Sequence, residues 1–294
     1  MTDKPWLTRE LDEIPYTFDN ERFQAYLKTI NLEQKHTFIL NKCQDEALNA
    51  EINSLEKRKV RFIKAATSFL KLEGQDLSFP LQDEAQQLSL EDYYEACVRA
   101  YELSQQPFFM PTTNDMIELN AILLRHDEET SKYPKFSLRN EKSPLIIIGK
   151  GYFAPVANYN VSKRVSLMLF DLANTNFDDP LFVKGAKFVT EYVRIQPHMS
   201  GNKRTALMLL NSMLQTNNYP SIYFDKDRID QLHDCIKESM LTRDVTNFAI
   251  LIADCVSKHY DHVMQDIEVY EAKQALDNVQ AKTSTPLEKS GRGK

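Results

Sequence analysis

Apolar positions along this chain recur mainly at intervals of three and four, the spacing that lines one face of an α-helix. Phe23, Leu27 and Ile30, then Phe38, Leu40, Ile52 and Leu55 follow it from about Asp19 onward, inside an otherwise polar and charged stretch of residues 1–60. Residues 58–73 continue it as an amphipathic helix ending at Glu73-Gly74, with Gly74 suited to a C-terminal cap. Ser89-Leu90-Glu91-Asp92 reads as a capping box that opens a helix through about Leu103. Pro107 and Pro111 mark a loop. Thr112-Thr113-Asn114-Asp115 caps the next helix, to about Arg125, with Met116, Leu119, Ile122 and Leu123 on its apolar face. Helices over 161–174 and 181–194 flank a loop from Asn176 to Pro180. The wide stripe of Ala206, Leu207, Leu209, Leu210, Met213 and Leu214 predicts a central, buried helix. Residues 226–241 and 244–260 give two more.

The period changes once. Lys135-Phe136-Ser137-Leu138-Arg139 and Leu145-Ile146-Ile147-Ile148 are β-prone runs around Asn140-Glu141-Lys142-Ser143, which predicts a small hairpin. From about 261 the chain starts helical, and its ending, Lys282 to Lys294, is polar and reads as disordered. The fold class expected is therefore mainly α. Composition agrees. Only 7 glycines occur in 294 residues, so tight turns are few.

Cys43, Cys97, Cys235 and Cys255 lie far apart with no CxxC pair, so zinc and redox spacings are absent and a reduced compartment is the simplest reading. No run of about 18 apolar residues is present, so no membrane span is expected. Met1-Thr2-Asp3-Lys4-Pro5-Trp6 has no apolar signal region; the chain reads as cytoplasmic, with secretion as an effector left open. The net charge of −6, from 36 basic and 42 acidic residues, argues against a nucleic-acid partner.

Chemistry concentrates at Gly201-Asn202-Lys203-Arg204, directly before the central helix. A helix N-terminus offers unpaired N–H groups and partial positive charge. Glycine lets the backbone approach a ligand, and Arg204 brings a bidentate fork for phosphate oxygens. Together they form an anion cradle sized for a di- or triphosphate. The plainer alternative is a loop-to-helix junction with solvated charges.

Ile195-Gln196-Pro197-His198-Met199-Ser200-Gly201-Asn202-Lys203-Arg204 resembles the signature of the Fic/Doc family, His-Pro-Phe-x-Asp/Glu-Gly-Asn-Gly/Lys-Arg. Thr205-Ala206-Leu207, Leu138-Arg139, Ile146 to Gly149, Phe153-Ala154-Pro155, Tyr219-Pro220 and Asp244 to Phe248 extend the likeness over about residues 60–258. The resemblance implies a helical Fic domain with one β-hairpin flap: an N-terminal helical region over 1–105, a core over 106–260 and a tail over 261–294. It implies ATP or another nucleotide as ligand, held by Gly201, Asn202, Lys203 and Arg204. It also implies a target protein docked at the flap near Ile146–Pro155, and it leaves a homo-oligomer open.

The family transfers AMP from ATP to target hydroxyls, with the motif histidine as base and the acidic residue on Mg²⁺. Here the base position holds Gln196, whose amide has no useful proton affinity. The acid position holds Ser200, a poor magnesium ligand, which argues against Mg²⁺. A second arginine is replaced by Leu207. His198 occupies the family's anchoring phenylalanine; a loop shortened by two residues would make it a substitute base. Residues 60–74 resemble an inhibitory helix, with Glu73 as the blocking carboxylate. Three functions follow: a nucleotide- or anion-binding pseudoenzyme, a transferase of altered mechanism, or a structural interaction module.

Overall fold

The computed structural model describes residues 14–71, 84–127, 136–144, 155–174, 179–224 and 226–283. The described helices run in chain order as α1 (Asn20–Thr29), α2 (Leu32–Lys42), α3 (Glu46–Ile52), α4 (Leu55–Lys71), α5 (Glu84–Ser104), α6 (Thr113–Leu123), α7 (Val161–Asn174), α8 (Leu181–Ile195), α9 (Asn202–Thr216), α10 (Lys226–Thr242) and α11 (Thr246–Thr283). Local chemistry sets several boundaries. Asp19 caps α1 by accepting from the Arg22 N–H, and Asp45 caps α3 by accepting from Ala47 and Leu48. Asn31, in the left-handed region at φ 51°, turns the chain between α1 and α2. Thr112 and Asp115 exchange hydrogen bonds in a full capping box at the start of α6.

The axis of the fold is α9. Its residues from Arg204 to Leu214 are buried, as a helix with apolar residues all round requires. It packs on α5, α6 and α8. The closest approach is at Gly185 of α8, where a Cβ would lie 2.4 Å from Leu210 Cδ1. Two polar residues in the buried middle of α9 are matched. Ser212 Oγ donates to Ala100 O at 2.7 Å, and Asn211 pairs with both backbone groups of Ile222 at 3.0 and 2.7 Å.

The first helices pack on the last. Tyr26 donates to Asp254 at 2.9 Å, and Lys35 pairs with Asp261 at 2.6 Å. An isolated parallel bridge joins Thr17 to Asp244, reinforced by Asp19 N–H donating to Thr246 Oγ1 at 2.8 Å. None of the described helices is long and apolar enough to cross a membrane.

Three expectations change. Ser89 does not open a helix: α5 already begins at Glu84, because Glu84-Ala85-Gln86-Gln87-Leu88 are strong helix formers and extend it upstream. The helix expected over 244–260 and the helical start expected for the tail form one unbroken helix to Thr283, through Glu-, Ala-, Lys- and Gln-rich sequence free of glycine and proline. Phe136 to Pro144 form turns and irregular backbone with no strand. The rest of the proposed hairpin, through Ala154, lies outside the described residues, as do Glu73 and Gly74.

Candidate functional site

The residues 196–204 form a tight loop between two helix ends. Gln196 ends α8 in the left-handed region (φ 51°, ψ 63°), its N–H donating to Tyr192 O. Gly201 begins α9, also left-handed at φ 73°, with no side chain to cap the helix. A Cβ on Gly201 would sit 2.9 Å from Asn120 Nδ2, so both backbone angle and space demand glycine. The start of α9 is thus left without a side-chain cap from its own N-cap residue.

Side chains inside the loop hold its shape. Asn202, buried, accepts from His198 N–H at 2.8 Å and donates to His198 O and Gln196 Oε1, both at 2.8 Å. Gln196 Nε2 donates to Val193 O at 2.7 Å, so both ends of this amide are engaged. From α6, Asn120 donates to Ser200 O at 2.9 Å and Thr205 Oγ1 at 3.1 Å. From the 136–144 segment, buried Arg139 donates to Gln196 O (2.5 Å), Ile195 O (2.8 Å), Val156 O (3.1 Å) and Asn158 Oδ1. Its own N–H donates to Pro197 O at 2.7 Å. A guanidinium on the last carbonyls of α8 meets the negative end of that helix. Burial pushes it down to about 10, which leaves it charged at neutral pH.

The remaining candidates point to different neighbours. Lys203 Nζ lies 2.8 Å from His233 Nε2 on α10; an ammonium only donates, so that nitrogen accepts. Arg204 is buried with its guanidinium 5.3 Å from the Tyr93 ring centre. Ser200 is half-buried at the loop's outer turn.

His198 is buried at 2% exposure with its ring beside that of Tyr192. Neither ring nitrogen makes a well-formed hydrogen bond, and the Ser137 backbone lies alongside. Burial lowers its pKa from 6.5 to about 4, with Arg139 adding to the effect. The unfolded chain thus binds a proton that the folded chain refuses between about pH 6.5 and 4. The resulting stability is fully present above pH 6.5 and is lost as the pH falls toward 4. His198→Phe is expected to remove about 2 kcal/mol of the destabilisation seen between pH 7.5 and 5. Urea unfolding of both proteins at the two pH values measures this. Equal losses would show that His198 is not the group responsible.

Asn120, Arg139, Tyr93 and His233 complete a site whose core the sequence marked. Asn120 carried a signal, as a polar residue beside Leu119 in an apolar stripe. His233 carried none.

With this geometry in place, comparison identifies the class. Residues 111–214, from just before α6 almost to the end of α9, match the family model described as Fic/DOC family. Three solved structures share the fold more widely. A Fic-domain-containing signalling protein from Bacteroides thetaiotaomicron is 14% identical, with a TM-score of 0.63 over 82% of this chain and 96% of that one. A fragment of Fic-1 from C. elegans is 14% identical, with a TM-score of 0.65 over 82% and 72%. A Fic family protein from Desulfovibrio desulfuricans is 15% identical, with a TM-score of 0.59 over 87% and 76%. No curated protein matches the sequence. Members of the Fic/DOC family commonly transfer AMP to target proteins.

Proposed function

We propose that this chain is a Fic-type protein that binds a nucleotide or related anion at the N-terminus of α9 and acts through binding, with little ordinary AMP transfer. The observation that carries the reading is Gln196. At the position of the catalytic base stands an amide whose two ends are tied to Val193 O and Asn202. It neither accepts a proton at neutral pH nor is free to reorient. The substitute base fits poorly, because the His198 ring is buried and stays neutral.

A phosphate fits the residues present. The left-handed Gly201 brings no side chain over the start of α9, and the half-buried Lys203 adds positive charge to its first turn. Mg²⁺ fits poorly, since Ser200 offers a neutral hydroxyl where the family carries a carboxylate. A bound nucleotide would supply the group to be transferred. What the chain's own residues do is hold the loop shape, present N–H groups and withhold a base. The flap and any target docked at Ile146–Pro155, like a block by Glu73, belong to this reading as its untested parts.

Calorimetry with ATP, ADP and AMP, with Mg²⁺ or with EDTA, tests it on wild type and Lys203→Ala. Expected is binding that is indifferent to Mg²⁺ and about tenfold weaker in Lys203→Ala, without radiolabel passing from α-labelled ATP to protein. Binding that requires Mg²⁺ and is accompanied by labelled protein would show an active transferase. Absence of binding would leave a scaffold.

A further inference from the structure

A second cavity of about 380 Å³ lies between α2–α4 and α11, away from the 196–204 loop. Its wall combines polar and aromatic groups, with the Arg58 guanidinium 5.7 Å from the centre of the Tyr101 ring. Arg58 and Arg61 of α4 and His259 of α11 supply the polar groups; Phe62, Tyr101 and Tyr260 supply ring surface. Arg61 is fixed by Nη2 donating to Ile52 O at 2.7 Å. Arg58 Nη1 donates to Tyr101 Oη at 3.3 Å, while its Nε–H is buried with no hydrogen-bond partner. His259 is only 8% exposed, and its Nδ1 is also buried without a partner. Buried polar atoms in native proteins are nearly always matched, so two orphans on one cavity wall call for a ligand with oxygen atoms.

Charge selects among such ligands. Arg58 and Arg61 are joined nearby by Lys64 and His262, whose fields reach His259. Two carboxylates lie close by: Glu51 and Asp266 are 3.6 and 3.9 Å from Lys57, and Asp266 also acts on Arg61, so the two acids stand against Arg58, Arg61, Lys57 and Lys64. The cavity side is left net cationic. Size selects further. An apolar cavity of about 150 Å³ admits one benzene ring, so 380 Å³ takes a ring together with a charged substituent, within the range of small-molecule sites.

We propose that this cavity is a binding site for a small planar aromatic ring bearing an oxyanion. The oxyanion faces Arg58 and His259, and the ring lies against Phe62, Tyr101 and Tyr260. Carboxylate and phosphate share this chemistry.

The test uses the full chain and thermal unfolding with phenyl phosphate, benzoate, benzylamine and inorganic phosphate, each to about 10 mM, since fragments of this size bind near millimolar. Ligand that binds only the folded state raises Tm in proportion to its occupancy. Expected is a rise with phenyl phosphate, benzoate or both that Arg58→Gln removes, none from benzylamine, and from inorganic phosphate only such a rise as Arg58→Gln leaves unchanged, the signature of binding at α9 instead. A response to one of the two anions alone names the oxyanion and upholds the site. Arg58→Gln removes the orphan donor without touching the core and is expected to weaken binding at least tenfold, with Arg58→Lys between it and wild type. Absence of any response, an equal response to benzylamine, or undiminished binding in Arg58→Gln overturns the proposal. Because Arg58 is remote from the 196–204 loop, its loss of arene binding while ATP binding persists separates this site from the one at α9.

Discussion

Arg139→Ala is expected to cost about 3–5 kcal/mol of folding stability and to abolish nucleotide binding with it. Five hydrogen bonds come from this one residue, four of them from the side chain: three hold the start of the candidate loop at Ile195, Gln196 and Pro197, and two tie it to Val156 and Asn158. Removing the side chain strands the carbonyls of Ile195, Gln196 and Val156. Each buried acceptor left unmatched costs about 1–3 kcal/mol, reduced where water enters or the loop relaxes. The left-handed turn at Gln196 then has nothing to hold it, and strained backbone persists only where its surroundings impose it. The loop would open and Gly201 would no longer be placed against Asn120. Urea unfolding followed by circular dichroism gives the stability, and calorimetry gives the binding. Arg139→Lys should recover only a minor part, since a point charge cannot span carbonyls that a planar fork reaches together. A loss below 1 kcal/mol for Arg139→Ala would remove it as the organiser of the loop.

Gln196→His combined with Ser200→Asp is the change expected to alter activity most. A general base contributes about 10²–10⁴-fold, so self-modification with labelled ATP should rise by about a hundredfold or more over wild type. The backbone permits the change. Histidine is among the residues that tolerate the left-handed region in which Gln196 stands, and an imidazole nitrogen can take over the hydrogen bond now accepted from Asn202. Aspartate at 200 places a carboxylate near the positive end of α9 and supplies a ligand for Mg²⁺. Each single variant should fall well short of the pair, because base and metal serve the same step. Leu207 still leaves the second arginine missing, so recovery will be partial. Silence in the double variant while nucleotide still binds would refute loss of the base as the cause. Wild-type transfer equal to the double variant would refute it as well.

The helical fold was legible where period and capping agreed. Val161–Asn174 begins and ends where the pattern placed it, and α8 and α9 differ from expectation by little, because apolar stripes there are dense and glycine or proline stands at the boundaries. The capping box at Thr112 was legible for the same reason. Ser89 misled because a serine followed by acids also occurs mid-helix, where upstream helix formers decide. The loop's sequence marked the candidate site, but its clamps were hidden. Arg139 and His233 reach the loop from 57 and 30 residues away in sequence. No local pattern encodes such pairings; they follow from how whole helices dock.

The bond from Asp19 to Thr246 spans 227 residues, and α1, α2 and α3 all rest on α11. During synthesis those three helices emerge early, and the surface they share most, α11, is the last to follow. At about 5–20 residues per second, their wait is roughly 10–45 s. Until then Leu32, Ile39 and Leu48, all buried in the finished fold, lack the cover that α11 gives. The polar spacing between them then serves a second purpose, keeping a waiting segment from sticking to its neighbours on the polysome.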